Sequence, residues 1–199
     1  FYLCLAMIAT GAWADSTPVL IGIDAEFSVV GSTSAQAIRL GAQIAVDEIN
    51  ANGGVLGGRP LALVEKDDRS VPARFIKNLH EFAVDPNVVA VLCGRYSPVV
   101  VEAIPEIHQL KLPLLDPWAA ADLITTHDFR PNYIFRLSLR DTWAMQVMIR
   151  HAEQRGLRKL GLLVPNTEWG RSNLKAAEAL DQADPQVTFI DMQWYSWGD

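Results

Sequence analysis

The sequence predicts an α/β chain built of doubly wound parallel sheets. Two observations carry that prediction. Short apolar segments of strand length alternate with segments of helical periodicity along almost the whole chain. The strand segments are near-continuous apolar runs, the pattern of strands buried on both faces by crossover helices. Right-handed crossovers then wind the helices onto both sides of each sheet, and ligands of such folds bind beyond the carboxyl ends of the strands.

The elements follow in order. "PVLIGIDA" (18–25) reads as a strand. "STSAQAIRLGAQIAVDEINANGG" continues as a helix to Asn50 or Ala51, with Ala37, Leu40, Ile44 and Ala45 expected inward, Gly41 on the same face and Ile49 at its edge. "PLALVEKDD" (60–68) is a strand. "VPARFIKNLHEFAVD" (71–85) is an amphipathic helix with Phe75, Ile76, Leu79 and Phe82 inward. "VVAVLCG" (88–94) is a buried strand, "PVVVEAIPEIHQL" (98–110) a helix expected to kink at Pro105, and "LPLLD" (112–116) a strand. "NYIFRL" (132–137), a helix at 141–156, a strand at 159–165, a helix at 169–182 and a strand at 186–192 complete the alternation.

The glycine pairs in "INANGGVLGGRPL" raise the question of a phosphate site. A dinucleotide fingerprint places its glycines after a strand and before a helix. Here they follow a helix and precede a strand, and no Gly-Lys-Ser/Thr is present. They read as a helix C-terminus and a turn into the next strand.

Bulk properties narrow the function. The 199 residues carry a formal net charge of −6 and no basic run, which argues against nucleic acid as a partner. The opening "FYLCLAMIATGAWAD" is a charge-free apolar run ending in Ala12-Trp13-Ala14. It reads as part of a signal peptide over 1–14, and so as export across the inner membrane. Beyond it Cys93 is the one cysteine left, expected as a buried core residue. The four histidines (80, 108, 127, 151) are scattered, read as surface or helix-face residues, and make no zinc pattern. No nucleophile elbow, metalloprotease helix or Cys-x-x-Cys is present, so nothing recommends catalysis, and no cofactor is expected.

Candidate ligand contacts lie in the loops after the strands. Ser97 followed by Pro98 reads as a helix N-cap whose hydroxyl and neighbouring N–H groups form an anion site, or as a cap alone. Gly94 would permit close backbone approach. Asp24, Asp67 and Asp68 are either loop and cap residues or holders of Mg²⁺, the former reading being preferred. Phe27, Tyr96, Trp118 and Trp169 all fall in post-strand loops, where aromatic side chains can line a pocket for a small organic ligand.

Four stretches resemble the type 1 periplasmic substrate-binding proteins of ABC importers, the branched-chain amino-acid (Leu/Ile/Val) binding family. They are "GAQIAVDEINANGGVLGGRPLALVEKDD", "VVAVLCGRYSPVVVEAIPEIHQLKLPLLDPWAAADL", "NYIFRLSLRD" and "KLGLLVPNTEWGRS". The resemblance spans residues 18 to 199. It implies two doubly wound lobes around a ligand cleft, a first lobe over 15–133 and an incomplete second lobe over 134–199. It also implies a monomer that delivers its solute to an ABC permease. By the same resemblance Ser97 binds a ligand carboxylate, Trp118 and Ala120 lie on the next ligand loop, and Trp169 covers the ligand. Asp141 starts a second-lobe helix near the cleft, and Phe27 lies in a closing loop. Where the family carries threonine, this chain has Ala120, a departure that bears on α-amino-acid recognition. The expected function is capture of a small polar metabolite: an amino acid, an amide or a carboxylate. A sensory receptor domain of the same fold is the alternative.

Overall fold

The computed structural model of the protein describes residues 17–183 and 187–196. The segment read as a signal peptide lies outside the described residues. Strands β1 (Val19–Ala25), β2 (Leu61–Asp67), β3 (Val88–Cys93), β4 (Leu114–Asp116) and β5 (Ile134–Arg136) form one five-stranded sheet in the order β2-β1-β3-β4-β5. Every pairing in it is parallel. Helices α1 (Ser34–Ala51), α2 (Pro72–Ala83), α3 (Ser97–Leu110) and the short α4 (Leu123–Thr126) connect these strands. A second unit follows, with helix α5 (Asp141–Gln154), strand β6 (Lys159–Pro165), helix α6 (Glu168–Ala183) and strand β7 (Thr188–Tyr195). Its two strands are also parallel. The chain is therefore wound as the alternation predicts. A boundary after residue 133 falls inside the first sheet, because β5 pairs with β4 through Leu114–Ile134.

The main core lies between the first sheet and the α2/α3 layer. Phe75, Leu79 and Phe82 of α2 are buried there against Val100, Ile104 and Ile107 of α3 and the sheet residues beneath. The expected inward face of α2 is thus realised, with Ile76 packed at its edge. Helix α3 runs through Pro105 as one element. Cys93 is fully buried, as expected. His127 departs from the surface or helix-face reading: it caps the C-terminus of α4 and is buried, with neither ring nitrogen hydrogen-bonded. Burial and the neighbouring His108 hold its pKa below the ordinary imidazole value.

Helix α1 is rotated from the expected orientation. Its buried residues are Ser34, Ala35, Ile38 and Val46, while Leu40 and Ile44 are 56% and 68% exposed. The cause is at its first turn, where the Ser34 hydroxyl donates to the buried Glu26 carboxylate at 2.6 Å. That bond turns Ala35 and Ile38 toward the sheet. At about 100° per residue, Leu40 and Ile44 then point away. Ala37, Gly41, Ala45 and Ile49 border an apolar groove of about 550 Å³ whose floor includes Leu61, Leu63, Leu92 and Leu115.

The glycine pairs serve the backbone. Gly53 and Gly54 follow α1 at φ +100° and +74°, and their N–H groups return to the carbonyls of Asn50 and Ile49. A Cβ on Gly54 would stand 2.3 Å from the Arg59 carbonyl oxygen. The turn sits before β2, at the amino end of the sheet.

The strand-end acids are absorbed into the first unit. Asp67 accepts the N–H groups of Ser28 and Arg69, and Asp68 accepts that of Ser70. Asp24 is buried, with one oxygen bonded to Asn78 and the other without a partner. Among the described residues, no group of three or more His, Cys, Asp or Glu is placed to hold a metal ion. Burial, reinforced by the charge of Asp68, pushes the Asp24 pKa up to about 8, and burial takes Asp68 to about 6. Between the ordinary carboxylate range and pH 8 the native state therefore binds more protons than the unfolded chain, so stability falls as pH rises through that window. The urea midpoint should be lower at pH 8 than at pH 5, and Asp24→Asn should flatten the slope. An equally steep slope in the variant would remove Asp24 as its source.

Candidate ligand-binding site

The loops after β3, β4 and β6 converge at the carboxyl ends of their strands. In the first of them Ser97 does not serve as the N-cap. Tyr96 occupies that position with extended backbone, and Ser97 is the first residue of α3. The Ser97 hydroxyl oxygen instead accepts the N–H groups of Ala120 and Ala121, each at 3.2 Å. Both contacts use the oxygen as acceptor, which leaves the hydroxyl proton to be donated. Ser97 thus ties the β3–α3 loop to the β4–α4 loop. Gly94 admits close neighbours: from a Cβ at residue 94 the Glu26 Oε2 would lie 2.6 Å away and the backbone Cα of Ala25 3.2 Å.

The β4–α4 loop is shaped by a buried charge pair. Asp116, at the end of β4, accepts the N–H groups of Trp118 and Ala119 at 3.1 and 2.8 Å. Its other oxygen meets Nη2 of Arg136 at 3.3 Å, with side-chain exposures of 0% and 8%. Arg136 Nη2 also donates to the carbonyls of Ala119 and Ala121, and the Ser138 hydroxyl donates to Ala119 at 2.6 Å. Burial raises the Asp116 pKa from its ordinary value, and Arg136 and the two amides oppose that shift. β5 thereby holds a loop that precedes it in the chain.

A cavity of about 280 Å³ opens where the three loops meet, lined by Arg95, Tyr96, Ser97 and Pro98, by Trp118 and Ala120, and by Thr167 and Trp169. Tyr96, Ser97, Trp118, Ala120 and Trp169 are the sequence candidates brought together there. Phe27 and Asp141 are not among the lining residues. Phe27 is half-buried in the loop after β1, where its N–H bonds back to the Ala25 carbonyl. Asp141 lies behind the wall. Its Oδ1 accepts the Trp169 indole N–H at 3.0 Å, which fixes that ring, and its N–H bonds to the Ala120 carbonyl at 2.9 Å. Burial raises the Asp141 pKa, against hydrogen bonds from Ser172, Trp169 and Asn173. Arg95 and Thr167 were not singled out from the sequence. An arginine beside an aromatic in a post-strand loop was the available signal for the first.

The two units are joined beside this cavity through Asp122. Its N–H donates to the Ser172 hydroxyl of α6 at 3.0 Å, and its carboxylate takes Arg140 Nε at 3.0 Å and the Thr142 hydroxyl. The cavity thus lies between the two units and is walled from both.

A cleft between two such units is the architecture of a two-lobed α/β fold. Residues 18–198 match the periplasmic binding protein family, and the chain belongs to it. Among solved structures, an ABC transporter substrate-binding protein from Desulfitobacterium hafniense in complex with Leu is 27% identical, with a TM-score of 0.74 over 92% of this chain and 52% of that one. The branched-chain amino-acid transporter substrate-binding protein LivJ of Streptococcus pneumoniae, in complex with isoleucine, is 24% identical at a TM-score of 0.77, over 92% and 51%. An R. palustris ABC transporter solute-binding protein in complex with benzoate is 19% identical at 0.78, over 92% and 49%. The chain spans about half the length of these structures. No curated protein matches the chain significantly.

Removing one partner of a buried pair leaves the other charged and unpaired, at a cost of about 3–5 kcal/mol. Arg136→Met should cost that much in chemical denaturation, and the added change Asp116→Asn should recover part of it. Additive losses would mean that the two residues do not act as a pair.

Proposed function

We propose that the chain is the ligand-capturing part of an exported solute-binding protein. It holds a small carboxylate, amino acid or amide in the cleft and presents it to an ABC permease. The observation that carries this reading is the cavity between the two units. There a serine hydroxyl with a free proton and the N-terminus of α3 stand beside the rings of Tyr96, Trp118 and Trp169. A helix N-terminus and a hydroxyl donor suit an anionic or carbonyl end, and aromatic walls suit an apolar body. No covalent step is needed, since binding is by enclosure. The neighbours described as transporter proteins favour an importer component over a sensory domain. Location in the periplasm rests on the family and on the reading of residues 1–14 as a signal peptide.

A thermal melt of the protein expressed from its full-length gene tests the reading. The panel is branched and aromatic amino acids, amides, urea, short carboxylates and aromatic acids. A ligand at about 100 times its Kd adds roughly 2.7 kcal/mol, enough to raise the midpoint by a few degrees. One chemical class should shift it, and no shift with any class would count against solute binding. Ser97→Ala should weaken the responsive ligand by about tenfold, the scale of one lost hydrogen bond to a charged group. Unchanged affinity by calorimetry would remove Ser97 from the ligand contacts.

A further inference from the structure

We propose that Arg95 is the residue that selects ligand charge, taking the anionic end of the solute and making the cleft a carboxylate site. The inference rests on the cleft reading above and deepens it. Arg95 is the only charged residue among those lining the cavity, and Glu26, the carboxylate it faces, lies outside that lining. Its side chain is 36% exposed, so a solute in the cavity can reach it.

The guanidinium is held in place before any ligand arrives. It lies over the Tyr96 ring, 4.7 Å from the centroid, and Nη2 donates to the Tyr96 hydroxyl at 2.8 Å. Nε faces Glu26 Oε1 at 3.4 Å. A tight pair between guanidinium and carboxylate closes to about 2.7–2.9 Å, commonly through two parallel bonds. This contact is longer and single: it falls on the Glu26 oxygen that already accepts the hydroxyls of Ser32 and Ser34 at 2.8 and 2.6 Å, while the other oxygen takes no hydrogen bond. Glu26 therefore orients Arg95 without consuming it. Of the five N–H donors of a guanidinium, those not used in these two contacts remain for a ligand.

The position is the one the topology favours. β1 and β3 are adjacent in the sheet, and the chain order reverses between them. Ligands of open parallel sheets bind outside that switch point. Glu26 follows β1 and Arg95 follows β3, so the pair spans it. Ser97 adds a hydroxyl donor two residues on, and Ala120 offers no side-chain acceptor for an ammonium. The described wall thus offers donors and a positive charge to the solute, and apolar rings to its body.

Calorimetry on the protein from its full-length gene tests this with acid and amide pairs of equal shape: benzoate and benzamide, 4-methylpentanoate and 4-methylpentanamide, leucine and leucinamide. In the pair that binds, the wild type should prefer the acid by about tenfold or more, the scale of one charge-assisted hydrogen bond. Arg95→Gln should bring that preference to within about twofold, and Arg95→Lys, which keeps the charge but loses the fork, should fall between. If the wild type binds acid and amide alike, Arg95 is not the selector, although solute binding stands. If Arg95→Gln loses acid and amide equally, Arg95 is a strap between the β1 and β3 loops, and the proposal fails. If the wild type binds no member of any pair, this proposal fails, and the cleft reading falls with it only if the wider thermal-melt panel is also silent.

Discussion

The geometry of the cleft depends on one buried ion pair. Asp116 and Arg136 sit almost wholly out of water, where a lone charge would be strongly unfavourable. Their mutual compensation is only part of the effect. Asp116 spends its first oxygen on two backbone N–H groups, and Arg136 spends Nη2 on two backbone carbonyls of the same loop. The 117–121 segment has no regular structure to satisfy its polar groups, so the pair supplies the partners that a helix or sheet would otherwise provide. Trp118 and Ala120 take their positions on the cavity wall from that arrangement. The Ala120 and Ala121 N–H groups are then aimed at Ser97, which carries the order from one loop to the next.

Much of the candidate site was legible in the sequence, in part from the family resemblance that named Ala120, and for the loops of the first sheet the reason is topological. In a parallel sheet every strand ends on the same side, so residues following separate strands meet even when far apart in the chain. Tyr96, Ser97, Trp118 and Ala120 follow β3 and β4 of one such sheet, and Trp169 joins them on the cavity wall from the second unit, after β6. The role of Ser97 was less legible. Ser-Pro before an apolar run has the local signature of a cap, and only the distant N–H groups of Ala120 and Ala121 draw the hydroxyl away. Phe27 has the right place in the chain but sits in the loop after β1, outside that lining. Asp141 supports the wall from behind through the Trp169 indole, a contact across 28 residues that no local pattern announces.

The fold shows the same division. Strand and helix order followed from local periodicity, and the inward face of α2 followed with it. The face of α1 did not, because its rotation is set by Ser34 meeting a buried carboxylate on the preceding loop. Periodicity placed Leu40 and Ile44 on an apolar stripe, yet a helix with two apolar sides gives no local reason to choose between them. β5 likewise reads in the sequence as the opening of the second unit, while its pairing with β4 and the need of Asp116 for Arg136 assign it to the first sheet.

Glu26 links these observations. Its side chain is 1% exposed, and one carboxylate oxygen meets the Ser32 and Ser34 hydroxyls and Arg95. One acid therefore sets the rotation of α1 and the placement of the cation on the cavity wall. Gly94 is part of the same arrangement, since any side chain there would displace the carboxylate. Glu26 and Asp116, two of the buried carboxylates of the first unit, act alike. Each closes a strand end, satisfies donors from an adjoining segment and meets an arginine: Arg136 deep in the interior, Arg95 at the cavity. The difference in depth separates their roles. Arg136 is enclosed and committed to backbone carbonyls, so its charge serves the fold. Arg95 is reachable from the cleft and only loosely paired, so its charge is available to whatever the cleft encloses.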